Sequence, residues 1–245
     1  MGLSSNSLVH LTKEKDSLLG ILKHEFKFKY CLEQINTPTA MFNAAFPMVS
    51  FCDIPLSEIK NHITNYGMYG IGLKKEWAKA KGLNPVLYIA NTSTLAQDFK
   101  NAAIALLSGK EDTDYNETDA AIIDLLRYMK NYEGDLTRNG KTILNYRFSD
   151  EREWRLIPNR KDALQFLPPN LYDTVEKKEM QNAKLSKLSL GFEPNDISYI
   201  IIKDDSEISE FIRAVEEIKG TNHHFNDVKR LTTRIITTEQ ILNDF

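Results

Sequence analysis

Hydrophobic and polar positions follow two periods along this chain, and the points where one gives way to the other mark its elements. Ser7 to Thr12 (SLVHLT) reads as a short strand. Leu18, Leu19, Ile21 and Leu22 then recur at helical spacing between Asp16 and His24, with Asp16 or Ser17 as the N-cap. Phe26, Phe28 and Tyr30 alternate with Lys27 and Lys29, as expected of a half-buried strand. Asn36 to Pro47 reads as a loop, because Pro38, Asn43 and Pro47 interrupt it. Met48 to Ile54 is an apolar strand, and Pro55 opens a helix that runs to about Asn65. Three glycines fall in six residues at Gly67, Gly70 and Gly72, which predicts a backbone in special conformations or one approached closely. Trp77 lies in a short helix closed by Gly82 and Pro85, and Val86 to Ala90 is another apolar strand.

Two amphipathic helices, Leu95 to Leu107 and Glu117 to Tyr132, interrupt this strand-rich pattern and read as a helical insertion around 94–132. Strand character returns from Lys141 to Pro158, as a hairpin bending near Ser149-Asp150. Leu164 to Pro169 is irregular, and Val175 to Ser189 is a charged helix. Ile197 to Ile202 is a β-branched core strand, Ser206 to Lys219 a helix and Leu231 to Thr237 a last strand, with Thr238 capping a terminal helix. No repeat and no linker rich in Gly, Ser or Pro divides the 245 residues. The expectation is a single α+β domain, residues 1–245, with a mixed, mostly antiparallel sheet.

Composition narrows the function classes. Hydrophobic residues make up 42% of the chain and charged residues 27%, the balance of a globular protein in water. A net charge of −3 gives no basic field for nucleic acid and argues against that partner. Cys31 and Cys52 lack the spacing of a zinc site or redox pair, and a reducing compartment fits them. Met1 to His10 lacks an apolar stretch of signal-peptide length, and no window of about 18 apolar residues predicts a membrane span. The expected setting is cytoplasmic, without a membrane. Charge is uneven along the chain: Lys74, Lys75, Lys79 and Lys81 cluster, and Glu111 to Asp119 is acidic; both suit solvated faces or contact surfaces.

The densest chemistry is in Asp150-Glu151-Arg152-Glu153-Trp154-Arg155. At strand period, Glu151, Glu153 and Arg155 share one face, and Trp154 anchors the other. Carboxylates two apart on a strand face lie roughly 7 Å from each other, so each disfavours the other's ionisation unless Arg155 or Arg147 relieves them. Such a face is either a rigid site, with a carboxylate placed to steady an oxocarbenium-like centre, or a cross-strand salt bridge. His10 and Thr12 share a strand face and suit ribose and amide contacts, or a buried His with a local partner. Tyr66 and Tyr69 flank bare backbone and form a platform for a flat ring, or core tyrosines beside a turn glycine. His223-His224 has no third ligand at helical spacing, and no metal is expected. The patterns of a P-loop, a zinc protease and a dinucleotide-binding fold are all missing.

Three segments together resemble one family. Phe51-Cys52-Asp53-Ile54-Pro55-Leu56-Ser57, Tyr66 to Trp77 and Asp150 to Arg155, with Asn84-Pro85-Val86-Leu87-Tyr88 beside them, look like the abortive-infection AbiGi family of bacterial phage-resistance proteins. The resemblance implies a genetic role as the antitoxin of a two-gene abortive-infection system, hence a toxin or defence-system partner protein. His10-Leu11-Thr12, followed by Leu18, Leu19, Ile21 and Leu22, is similar to the opening strand and helix of DarT-like ADP-ribosyltransferases. That second resemblance implies an ADP-ribosyltransferase-like fold with NAD as substrate and no metal. His10 and Thr12 would contact NAD, Tyr66 or Tyr69 would stack near nicotinamide, and Glu151 or Glu153 would direct transfer or glycohydrolysis. The sequence departs from DarT by one extra residue between His10 and the helix and by lacking a counterpart of its catalytic arginine. Two functions follow: an NAD- or nucleotide-binding phage-defence protein, or a catalytically inactive antitoxin or sensor module that binds a toxin partner or phage protein.

Overall fold

A computed structural model describes residues 5–37, 40–110, 115–138 and 141–244. Glu111 to Asp114, the centre of the acidic stretch, lie outside the described residues. The chain forms two compact units: Met1–Lys27, Val49–Leu83 and Ser189–Phe245 make the first, and Phe28–Met48 with Asn84–Leu188 make the second. The architecture is α+β with a mixed, mostly antiparallel pairing of strands, as the periodicity predicts. No helix among the described residues is long and apolar enough to cross a membrane.

The strands are β1 (Ser7–Thr12), β2 (Phe26–Lys27), β3 (Lys29–Thr37), β4 (Ala40–Cys52), β5 (Tyr69–Lys74), β6 (Asn84–Pro85), β7 (Leu87–Ile89), β8 (Met129–Asn131), β9 (Gly134–Arg138), β10 (Lys141–Tyr146), β11 (Glu153–Leu156), β12 (Ser189–Leu190), β13 (Ile197–Ile202) and β14 (Ile235–Thr237). The helices are α1 (Lys15–His24), α2 (Lys60–Tyr66), α3 (Lys75–Ala80), α4 (Thr94–Leu107), α5 (Glu117–Arg127), α6 (Val175–Lys184), α7 (Ile208–Gly220), α8 (Phe225–Thr232) and α9 (Thr238–Asp244).

In the first unit the strand order is β14-β13-β5-β1, followed by the end of β4. Among the described residues, only β13 and β14 run parallel there; β1 pairs antiparallel with both β5 and β4. β13 is a run of isoleucines because it is a central strand: Ile200, Ile201 and Ile202 are wholly buried. The two strand glycines of β5 make room for neighbours within the fold. A Cβ on Gly72 would meet the Tyr199 ring at 2.2 Å, and one on Gly70 would meet the His10 carbonyl at 2.9 Å. Gly67 differs from both, with φ +126 and Thr12 O at 2.3 Å from where its Cβ would stand. Val9, Ile54, Ile59, Ile63, Ile201 and Ile241 close the core of this unit.

The second unit corrects three readings of the sequence. The expected loop at Asn36 to Pro47 is instead the hairpin of β3 and β4, in register from Lys29↔Met48 to Thr37↔Ala40. Pro47 is tolerated because its partner Tyr30 does not need its missing N–H. The Tyr30 N–H donates to Asn182 Oδ1, and its carbonyl accepts from the Tyr172 hydroxyl. The second amphipathic helix ends at Arg127, because Leu87–Ile89 recruits Met129–Asn131 as a parallel partner. The bend expected near Ser149 is a 3-10 turn, Phe148–Glu151, and β11 pairs with β6 and not with β10. Ile35, Phe46, Met48, Ile89, Ala96, Leu126 and Met129 form the apolar core of this unit.

Two elements near the end of the chain also differ from expectation. α8 occupies residues assigned to a loop and strand, capped by His224, whose Nδ1 accepts from the Asn226 N–H at 3.3 Å. β14 is accordingly reduced to three residues.

Candidate functional site

The charged run of β11 sits in a buried ion-pair network within the second unit. Strand alternation does put Glu153 and Arg155 on one face, but that face points inward. Glu153 is 6% exposed and Arg155 is fully buried, while Trp154 and Leu156 on the other face are half-buried. Glu151 belongs to the preceding 3-10 turn, and Arg152 between them takes a left-handed conformation, φ 46. That kink still delivers Glu151, 2% exposed, to the same cluster.

Lys130, at the centre of β8, joins the two glutamates: its Nζ lies 2.9 Å from Glu151 Oε2 and 2.8 Å from Glu153 Oε2. Arg155 spans the other side. Its Nε donates to Glu153 Oε1 at 2.6 Å, its Nη2 to Glu33 Oε1 at 2.8 Å and its Nη1 to the Arg127 carbonyl at 2.9 Å. The Glu153 N–H donates to the Tyr88 hydroxyl at 2.8 Å, and the Tyr146 hydroxyl donates to Glu151 Oε1 at 3.3 Å. Three carboxylates thus share two cations.

The charge imbalance is divided unequally. Burial would raise the Glu153 pKa, but Arg155 and Lys130 outweigh burial and hold it down at about 2. Glu33 shares Arg155 with Glu153; burial outweighs Arg155 and Lys130 there and pushes its pKa up. Burial would lower the Lys130 pKa, yet Glu153, Glu33 and Glu151 hold it well above its ordinary value. The state these shifts favour has Glu153 ionised against Lys130 and Arg155, with Glu33 more ready than Glu153 to carry a proton. Burial also pushes the nearby Cys31 thiol up to about 11, which favours the thiol over the thiolate.

A cavity of about 510 Å³ opens beside the network. Glu33, Lys130, Asn43 and Phe148 line it; Glu151 and Glu153 do not. Asn43 Oδ1 is buried there without a partner. Asn131 is held against β3 by two bonds, accepting from the Asn36 N–H at 2.7 Å and donating to the Asn36 carbonyl at 2.9 Å.

The other expected site residues lie in the first unit. Thr12 and Tyr69 form a cross-strand pair, and His10 pairs with Ile71 on the same two strands. His10 Nδ1 is 2.8 Å from the Ser50 carbonyl, and its ring packs edge-on against Phe26 and Phe51. Tyr69 is 8% exposed, donates its hydroxyl to Glu207 at 2.9 Å and stacks on Phe211. Burial and Glu207 push its pKa up to about 12. Tyr66 stacks on His62 at 5.9 Å between ring centres. Thr12, Tyr66 and Tyr69 are thus neighbours around Gly67, while Glu151 and Glu153 belong to the other unit.

Sequence reasoning missed Lys130, Glu33 and Tyr88. Each sits on a different strand, 20 or more residues from β11, and no local pattern ties it to that strand. One signal was present: a strand with two carboxylates and one arginine on its inward face requires a second cation from elsewhere. Among the described residues, no group of three or more His, Cys, Asp and Glu is placed to hold a metal ion. His223 Nδ1 faces Glu193 Oε2 at 3.0 Å, and His224 caps α8.

A family model described as "Putative abortive phage resistance protein AbiGi, antitoxin" matches residues 24–203. That span contains Tyr66, Tyr69, Glu151 and Glu153 but neither His10 nor Thr12. A relative from Lactococcus lactis subsp. cremoris, named "Abortive phage resistance protein AbiGi", is 30% identical over 227 residues, covering 81% of this chain and 88% of its own length. No solved structure matches, so the expected ADP-ribosyltransferase-like fold has no structural neighbour behind it.

Proposed function

This chain belongs to the AbiGi family, and from that membership we propose that it is a phage-resistance protein acting as an antitoxin, which restrains a toxin partner by binding it. One observation carries the choice of binding over catalysis. Glu151 and Glu153, the carboxylates expected to act on NAD, are buried and neutralised by Lys130 and Arg155. A carboxylate held at about 2 by two cations is a poor proton acceptor and is not available to a developing positive charge. The arrangement fits a rigid interior that fixes the β8 and β11 strands for presentation to a partner.

Exposed Lys74, Lys79 and Lys81 form a basic edge suited to an acidic partner surface. Lys75 beside them is turned inward to Asp53 at 2.8 Å.

The test is co-expression with the product of the neighbouring gene. The expected result is co-elution of the two proteins, relief of the neighbour's toxicity, and weaker binding in a Lys79→Glu/Lys81→Glu variant. The opposing result is NAD consumption by the purified chain alone, lost in Glu153→Gln with the circular dichroism spectrum unchanged. That outcome would replace the antitoxin reading with the one in which His10, Thr12, Tyr66 and Tyr69 bind NAD.

A further inference from the structure

A second cavity, of about 580 Å³, lies in the second unit between the end of α5 and the segment that follows β11. Arg127, Arg160, Lys161, Asp124, Glu117 and Tyr128 line it, placing three cations against two carboxylates. Arg127 is 1% exposed. Its Nη1 donates to Asp124 Oδ1 at 2.9 Å and its Nη2 to the Pro158 carbonyl at 3.2 Å, while its Nε is buried with no partner. Arg160 takes the other oxygen of the same carboxylate, with its Nε 3.0 Å from Asp124 Oδ2. A single carboxylate therefore stands between two guanidinium groups.

The remaining acid compensates weakly. Glu117 reaches Arg160 Nη1 at 3.3 Å with a fully exposed side chain, an arrangement worth little in water. A buried guanidinium with an unmet donor is costly, and burial lowers the Arg127 pKa in spite of Asp124. The excess positive charge and the unmet donor both call for an anion. Arginine favours oxyanions that accept several bonds in fixed directions, and a tetrahedral phosphoryl group offers more acceptors than the planar carboxylate already present. The volume lies within the roughly 300–1,000 Å³ of small-molecule pockets.

We propose that this cavity binds a phosphoryl group carried by a small molecule. Half-buried Arg160 and exposed Lys161 are its donors, Arg127 is the buried charge behind them, and the Glu117 carboxylate holds the ligand's place on Arg160. The site adjoins the ion-pair network through the Arg127 carbonyl, which accepts from Arg155 Nη1, and does not depend on the antitoxin reading.

The test is calorimetric titration of the full chain with inorganic phosphate, adenosine monophosphate and, at matched ionic strength, acetate. Binding of phosphate or the nucleotide is expected to weaken on the order of tenfold or more in Arg160→Ala and to tighten in Glu117→Gln. Both side chains are solvent-accessible, and thermal melting verifies that the variants fold. Equal affinity for phosphate and nucleotide identifies the phosphoryl group alone as the ligand; tighter nucleotide binding adds the attached group. Absence of binding by either, binding indifferent to both substitutions, or acetate binding as tight as phosphate would overturn the proposal.

Discussion

The two units of this chain solve the same problem, a strand that must be buried, with opposite chemistry. In the first, β13 and β5 are buried with isoleucine, leucine and glycine, and Tyr199 lies over Gly72. In the second, β11 buries Glu153 and Arg155 and draws Glu33, Glu151 and Lys130 in with them. The first arrangement is held by shape and the second by charge balance. Apolar packing is non-directional and degrades gradually when a side chain changes. A buried ion pair contributes little in total, yet removing one partner leaves its neighbours uncompensated. The second unit should therefore be the more fragile to single substitutions and the more sensitive to pH.

The strongest attempt to break this contrast is Arg155→Ala. It strands Glu153 and Glu33 and removes the donor to the Arg127 carbonyl, so urea unfolding should show a loss of about 3–5 kcal/mol. The next is acid titration. The folded pKa of Glu153 lies below its unfolded value, so its contribution is present above about 4.3 and is lost as pH falls toward about 2. Wild-type stability should fall across that window, and Glu153→Gln should flatten the fall while lowering stability at neutral pH.

Gly72→Ala probes the other unit. Its new methyl group must displace the Tyr199 ring, at an expected cost of about 2 kcal/mol with no pH dependence. A cost equal to that of Arg155→Ala would erase the contrast. Glu33→Gln sharpens it further. The folded pKa of Glu33 is raised, so its contribution is present below its unfolded value and lost as pH rises through the folded one. The neutral amide should leave stability at pH 7 unchanged or slightly higher, the reverse of Glu153→Gln on the same arginine. A small effect is also expected at Tyr199→Phe. That hydroxyl is buried without a partner, and its removal should raise stability slightly, by about 0.5–1 kcal/mol, read as a higher unfolding midpoint.

Much of the fold was legible because its signals are local. The strand period of Ser7 to Thr12, the isoleucines of β13 and the glycines of β5 each declare themselves within a few residues. So did membership in the AbiGi family, which rests on contiguous motifs. The β3–β4 hairpin was not legible, since Pro47 is disfavoured in a strand unless Asn182 and Tyr172, more than 100 residues away, satisfy the backbone of Tyr30. β8 was missed for a related reason: Met129–Asn131 continues a helical pattern and becomes a strand through its pairing with Leu87–Ile89.

The charged run of β11 divides along the same line. The sequence by itself determined that Glu153 and Arg155 share a face, because side-chain direction follows from strand geometry alone. Tertiary structure decided which way that face points and what meets it. Lys130 and Glu33 come from strands remote in sequence, and only folding brings their charges close enough to turn a candidate catalytic pair into a closed ion-pair network.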